Sequence, residues 1–486
     1  MKKLIATVLL LGVVALGAIG VLRASRLQSR VLTPSPPDVS IANATVSVER
    51  FIQSVRFQTI STQDSTQWNA APFLEFHSWL SGAFPRVESS LLREVVNGYS
   101  LLYTWKGSDT TLAPILLTGH FDVVPVEAGT ETLWKHPPFA GDTADGVLWG
   151  RGSADDKLSV IGVLEGVDLL LGQHFSPTRT VLLAFGHDEE VSGNRGAGEI
   201  AKLLKERYGA VAFLVDEGGF LTQGIVPGVQ RPLAMVGVAE KSSLSVELSV
   251  MGAGGHSSIP PDHSALGILA RALTRLEDHQ MPARLTPATR AFFTNVAAEG
   301  SFGMKFAFAN IGMLEPVVVR ALLGNPQTAS TVRSTTAVTM ASGSPKENVL
   351  PIRATAVVNF RILPGDSVKG VLDHITDSIA DSAIKVRVLG TPREPSPVSS
   401  FTSPEFRTLE KTIGQLYPKA LPTPYLLTAA TDTRHYEALT NNIYRFAPAT
   451  VTSELLAGAH GTNERMGLAD FAHGVKFWAQ LIKNAQ

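Results

Sequence analysis

Three short apolar runs dominate the hydrophobic pattern, and each ends in groups capable of chemistry. "APILLTGHFDVVP" leads to His120 and Asp122, "TVLLAFGHDEE" to Glu189 and Glu190, and "VAFLVDEGG" to Asp216 and Glu217. Continuous apolar runs of this length predict strands buried on both faces. Helix-like segments at 158–171 and 197–205 separate them. Strand and helix in alternation predict a largely parallel sheet, in which functional groups gather beyond the carboxyl ends of the strands. Acids after a strand also cap a following helix, and for one strand end that would suffice. Three such ends in succession, one with a histidine, point to a site.

From about residue 240 the pattern changes. "SSLSVELSVMG" alternates like a half-exposed strand, 264–276 reads as a helix, and "STVRSTTAVTMAS" and "ATAVVNFRI" as two strands. "VKGVLDHITDSIA" reads as a helix and "AIKVRVL" as a final strand. The order β-α-β-β-α-β predicts a ferredoxin-like α+β domain over 240–394, with an extra Phe- and Met-rich segment at about 280–327. After 395 the α/β texture resumes. The expected fold is therefore α/β, with a mostly parallel-sheet catalytic domain in two pieces, 46–239 and 395–486, interrupted by an inserted lid.

At the start, "MKK" precedes an uncharged apolar run over 4–22, followed by Arg23, Arg26 and Arg30. This predicts a signal anchor or signal peptide over 1–30, with the rest extracytoplasmic, either anchored or secreted after cleavage. The Pro- and Ser-rich stretch over 31–45 reads as a linker.

Composition narrows the chemistry. At 486 residues, 44% hydrophobic and 17% charged, the chain can bury a large core. A net charge of −1 and no basic stripe argue against a nucleic-acid partner. With no cysteine, any metal must be held by His, Asp and Glu. His120 and Asp122 lie two apart, on the same side of an extended chain, so one can bind a metal while the other orients it. "GRGSADDKLS" adds Asp155 and Asp156 in a Gly-rich turn, and "GAHGTNE" adds His460 in another. Adjacent carboxylates repel, and burying them costs several kcal/mol unless something positive sits nearby. A carboxylate bridging two metal ions, each with one further His and one further carboxylate, resolves that cost.

In family order, "TGHFDVVP", "WGRGSADDK", "GHDEEVSG", "VDEGG", "GGHSS", "ENVLP", "NFRILPGDS" and "HGTNE" resemble the di-zinc metallopeptidase family of carboxypeptidase S, aminoacylase-1 and bacterial glutamate carboxypeptidase. Details such as "GHDEE" and "STTAVT" resemble its secreted N-fatty-acyl-amino acid synthase/hydrolase branch. The resemblance implies two Zn²⁺ per chain, bridged by Asp155. His120 and Asp216 would complete one site, Glu190 and His460 the other. Asp122 would orient His120, and Glu189 would be the general base. A cis peptide is implied at Asp155–Asp156. In the lid, the resemblance makes His256 an oxyanion stabiliser, in many relatives across a dimer, and Asn348 and Arg361 the grip on a substrate carboxylate.

The implied substrate is a small molecule or short peptide with a free carboxylate. Two classes compete: N-fatty-acyl amino acids, if the Phe/Met-rich insertion lines an acyl channel, and short peptides cleaved as by carboxypeptidase S, if it is only helix core. A non-catalytic metal-binding protein is the reading from another class, opposed by intact ligand and base positions. His187 is expected to serve in packing, and "TDTRHYE", with Asp432, Arg434 and His435, has no assigned role. Membrane contact is expected only through the N-terminal segment, and a homodimer through the lid is left open.

Overall fold

A computed structural model describes residues 1–486 apart from Val31, Ala42, Asn43, Gln223 and Pro227, and gives the backbone alone at residues 2–6, 8–10, 13 and 65. The three apolar runs form strands Ile115–His120, Val181–Gly186 and Leu214–Asp216, adjacent and parallel at the centre of a ten-stranded sheet. Alternation along them feeds two cores. Ile115, Leu117, Val181, Leu183 and Phe185 pack on one face, while Leu116, Leu182 and Ala184 pack on the other. Helices Lys157–Gly172 and Leu468–Asn484 cover the first face, and Ala197–Tyr208 covers the second. Antiparallel strands Leu92–Val96 and Ser100–Trp105 close one edge.

A second, four-stranded antiparallel sheet carries Thr335–Ser342, Arg353–Ile362, Ser242–Met251 and Lys385–Leu389 in that spatial order. Helices Ala265–Asp278 and Val368–Ile379 pack on one face around a core of its own. The chain order is the expected β-α-β-β-α-β. One expected strand is shorter than read, because the front of "STVRSTTAVTMAS" finishes a short helix, Pro326–Val332, whose Asn325 caps the Gln327 N–H.

The Phe/Met-rich insertion folds as helices Pro287–Glu299, Phe302–Ala309 and Ile311–Leu322 around Phe293, Phe308 and Val319. Lys2–Arg26 is one helix lying against it, with Asn310 Nδ2 donating to the Gly20 carbonyl at 3.1 Å. The apolar run at 4–22 lies partly outside the described side chains. Among the described residues, no helix is long and apolar enough to cross a membrane. Within the expected linker, Val39 is buried and Asp38 pairs with Lys483 at 2.6 Å, so this stretch packs on the C-terminal helix.

Candidate metal centre

His120 closes its strand, Glu189 and Glu190 open a tight turn just after Val181–Gly186, and Glu217 follows Leu214–Asp216. Because these strands are parallel neighbours, their side chains emerge along one edge. Two loops from elsewhere close over that edge. Asp155 stands one residue before the N-cap, Asp156, of the helix Lys157–Gly172, with a cis peptide at Asp155–Asp156, and His460 stands in a turn at φ 59°.

Asp155 lies between the two imidazoles. Its Oδ1 is 3.0 Å from His120 Nε2 and its Oδ2 is 3.0 Å from His460 Nε2. Glu190 Oε2 is 3.1 Å from His460 Nε2. His120, Asp155 and Glu190 form one group of donors within 4.8 Å of one another, and His120, Asp156 and Glu217 form another. The first has His120 where His460 was expected, and the second has Asp156 and Glu217 where Asp155 and Asp216 were expected. Glu217 Oε1, not Asp216, faces His120 Nε2, at 3.4 Å. Successive side chains of an extended chain point to opposite sides, so only one of this acidic pair can face the histidine. Asp216 is buried, its Oδ2 without a hydrogen-bond partner.

The electrostatics describe a centre with surplus negative charge. Burial first, and then the charges of Asp432, Glu217 and Glu190, push Glu189 well above the usual carboxylate range. Glu217 is raised to about 7 by burial and by Asp155. Asp155 and Glu190 raise His460 to about 10. Glu190 Oε1 and both Asp156 oxygens are buried without hydrogen-bond partners. Imidazole and carboxylate donors in this grouping, with uncompensated acids between them, suit a divalent metal ion.

Two buried carboxylates fix the backbone around the centre. Asp122 accepts the Glu189 N–H at 3.1 Å and the Glu190 N–H at 3.2 Å, and the Ser61 hydroxyl donates to it at 2.6 Å. Its Oδ1 also lies 3.4 Å from His120 Nδ1. Asp122 therefore holds the base-bearing turn as well as facing the histidine. Glu464 accepts the Ala154 and Asp155 N–H groups at 2.8 and 3.1 Å and pairs with Arg151 at 2.6 Å. Nothing local in the sequence marks Ser61 or Glu464 for these contacts, which span the fold. His187 packs against Trp68, Phe73 and Tyr99, with Nδ1 2.6 Å from the Ser100 hydroxyl.

A cavity of about 310 Å³ opens beside the centre, lined by Asp155, Glu189, Glu217 and His460 and, on its apolar side, by Phe220, Tyr425, Leu427, Val451, Leu456 and Met466. No residue of the Phe/Met-rich insertion lines it. Phe292 of the insertion packs beside the lining residue Tyr425, with ring centroids 6.2 Å apart. The lid residues stand apart from the donor groups. His256 is exposed and bonds Ser258 Oγ at 2.8 Å; Arg361 is exposed on the four-stranded sheet, opposite Ser243 and Thr335. Asn348 Oδ1 is buried without a partner, while its carbonyl accepts the Ser257 N–H at 3.1 Å.

A sequence model of Peptidase family M20/M25/M40 matches residues 116–484. The chain is 39% identical to "Probable carboxypeptidase S-like 2" of Dictyostelium discoideum, over 100% of this chain and 94% of that protein. It is also 39% identical to the mouse (Mus musculus) N-fatty-acyl-amino acid synthase/hydrolase PM20D1, over 86% of this chain and 83% of that one. Among solved structures, the M20 family metallo-carboxypeptidase Sso-CP2 from Sulfolobus solfataricus shares the fold with a TM-score of 0.65 at 17% identity, over 90% of this chain and 98% of that one.

Proposed function

The chain belongs to peptidase family M20/M25/M40 and is a metallopeptidase-type hydrolase, and from that premise we propose that it is a zinc-dependent amidohydrolase of N-acyl, in particular N-fatty-acyl, amino acids. One observation carries this reading: a carboxylate shared between two imidazoles, Asp155 between His120 and His460, borders an apolar cavity. In this reading His120, Asp155 and Glu217 would hold one Zn²⁺, with Asp155, Glu190 and His460 holding the other. Bound there, the two ions would polarise the amide carbonyl and acidify the attacking water. Glu189, on the cavity wall, takes the water proton and returns it to the leaving amine. Asp122 keeps that glutamate in place through its backbone N–H. The apolar wall from Phe220 to Met466 shelters an acyl chain and excludes water. His256, Asn348 and Arg361 would meet the substrate through movement of the lid or from a second chain, the latter being the case for a homodimer.

Likeness to the carboxypeptidase S-like protein over its whole length supports a second reading, in which the same cavity takes an apolar side chain of a short peptide. The deciding experiment is hydrolysis of N-oleoyl-phenylalanine and of benzyloxycarbonyl-Gly-Leu by zinc-loaded protein, beside Glu189→Gln. Cleavage of the lipid amide alone, lost in the variant, is the expected result. Cleavage of the peptide alone makes this a carboxypeptidase, and no cleavage of either removes the proposed activity.

The N-terminal helix exposes Leu11, Val14, Leu16 and Ile19 and ends in Arg23 and Arg26, which supports an extracytoplasmic protein, anchored or released after cleavage. Fractionation of cells expressing the chain with and without residues 1–30 tests this, and an unchanged cytoplasmic location would refute it.

A further inference from the structure

A second cavity, of about 520 Å³, lies in the cleft where the catalytic domain meets the start of the four-stranded sheet, with Ser192, Asn194, Lys241, Arg393 and Arg434 on its walls. It meets the apolar cavity at Ala430, which lines both. One segment, 428–434, therefore runs from the apolar cavity, past Asp432 whose charge reaches Glu189, to Arg434 in the second cavity.

Two features mark this cavity as built for an anion. Arg393 and Arg434 line the same cavity, and burial first, then the charge of Arg434, disfavours the charged form of Arg393, with Glu437 and Asp432 opposing. Among the described residues, neither has a carboxylate within 4.0 Å. Arg434 Nε is buried without a hydrogen-bond partner, and Arg393 Nη2 donates only to a neutral acceptor, Asn194 Oδ1, at 2.8 Å. The acids on the same walls are otherwise engaged. Glu240 is paired with buried Arg445 at 3.0 Å and accepts from Thr431, while Glu394 accepts the Val368 N–H at 2.9 Å. Glu437 is pushed up to about 7 by burial and by Glu240, and so competes weakly for either arginine. Asp432 and Glu437 act on these guanidiniums at a distance, but neither makes a contact, and two guanidiniums on one wall are paired best by a bidentate carboxylate.

We propose that Arg434, with Arg393 beside it, binds the free carboxylate of the substrate's amino-acid part, while the acyl chain lies in the apolar cavity across Ala430. This rests on the N-acyl amino acid reading and adds to it the residue that selects acids over neutral analogues. In such a substrate the apolar chain would lie in the cavity whose wall carries Glu189, and the carboxylate in the arginine cavity that adjoins it at Ala430. The motif "TDTRHYE" thereby gains a role that its sequence context alone did not give.

The test compares kcat and KM for N-oleoyl-phenylalanine and its methyl ester in the zinc-loaded wild type, Arg434→Gln, Arg434→Lys and Arg361→Gln. The expected result is a wild-type preference for the acid that falls about tenfold or more in Arg434→Gln, mainly through KM, with partial recovery in Arg434→Lys. Equal losses on acid and ester would make Arg434 merely structural and overturn the proposal. So would a preference that survives in Arg434→Gln but collapses in Arg361→Gln. If only benzyloxycarbonyl-Gly-Leu is a substrate, the N-acyl amino acid reading fails separately. The same ratio is then read on that peptide and its C-terminal amide, where collapse in Arg434→Gln supports the arginine site and no change overturns it.

Discussion

The edge of the large sheet and the four-stranded sheet bear on one reaction in opposite ways. At the edge, the carboxylates of Asp155, Glu190 and Glu217 converge to within 3.0–3.4 Å of the imidazole nitrogens of His120 and His460, on backbone pinned by Asp122 and Glu464. On the smaller sheet, His256 and Arg361 are exposed and reach no donor group. Each body has its own core. The contrast teaches that the candidate centre is assembled within one chain, whereas the expected lid residues do not join it.

That contrast can be broken at several points. His256→Ala is expected to lower kcat about 10²- to 10³-fold if the lid closes over the substrate, read by steady-state kinetics. An unaltered kcat would confine catalysis to the sheet edge. Asp122→Ala removes the acceptor for the Glu189 and Glu190 amides, and should weaken zinc affinity about 10- to 100-fold in a competition titration with a chelating dye. Leu456→Trp, on the half-exposed rim of the apolar cavity, should cut kcat/KM for N-oleoyl-phenylalanine about tenfold while sparing N-acetyl-phenylalanine. Equal effects on both would place the acyl chain elsewhere.

The smallest effect concerns the scaffold alone. Burial lowers His77 to about 4, below its ordinary 6.5, so it stays neutral in the fold while the unfolded chain takes up a proton. Stability should therefore fall as pH drops from about 6.5 to about 4, by roughly 1–3 kcal/mol from this group. His77→Gln should flatten that part of a plot of unfolding temperature against pH, and an unchanged slope would remove His77 from the explanation.

The sequence made the centre legible where chemistry follows backbone position. His120, Glu189 and Glu190 could be read from apolar runs ending in polar groups, since parallel strands bring such ends together. At "VDEGG" the run locates the acidic pair, but which member faces His120 depends on side-chain direction, and Glu217 takes that place. Glu464 was out of reach because its partners lie about 310 positions away in the chain. The apolar cavity was equally hidden, its walls coming from Phe220, Tyr425, Val451 and Met466 with no shared periodicity. The insertion's phenylalanines read as well for a channel as for a core; Phe293 and Phe308 form a core with Phe292 against it, while Phe302 is exposed. "LPTPYLL" carries two prolines yet forms a strand, Leu421–Leu427, paired with Leu233–Glu240 as a side branch of the main strand order.

The central claim is that Asp155 joins two cation sites. Its most direct test is a zinc titration of metal-stripped protein, wild type beside Asp155→Asn, read by native mass spectrometry. Two zinc ions per chain in the wild type, and one or none in the variant, is the predicted result. A single ion in the wild type, or two retained by Asp155→Asn, would contradict it.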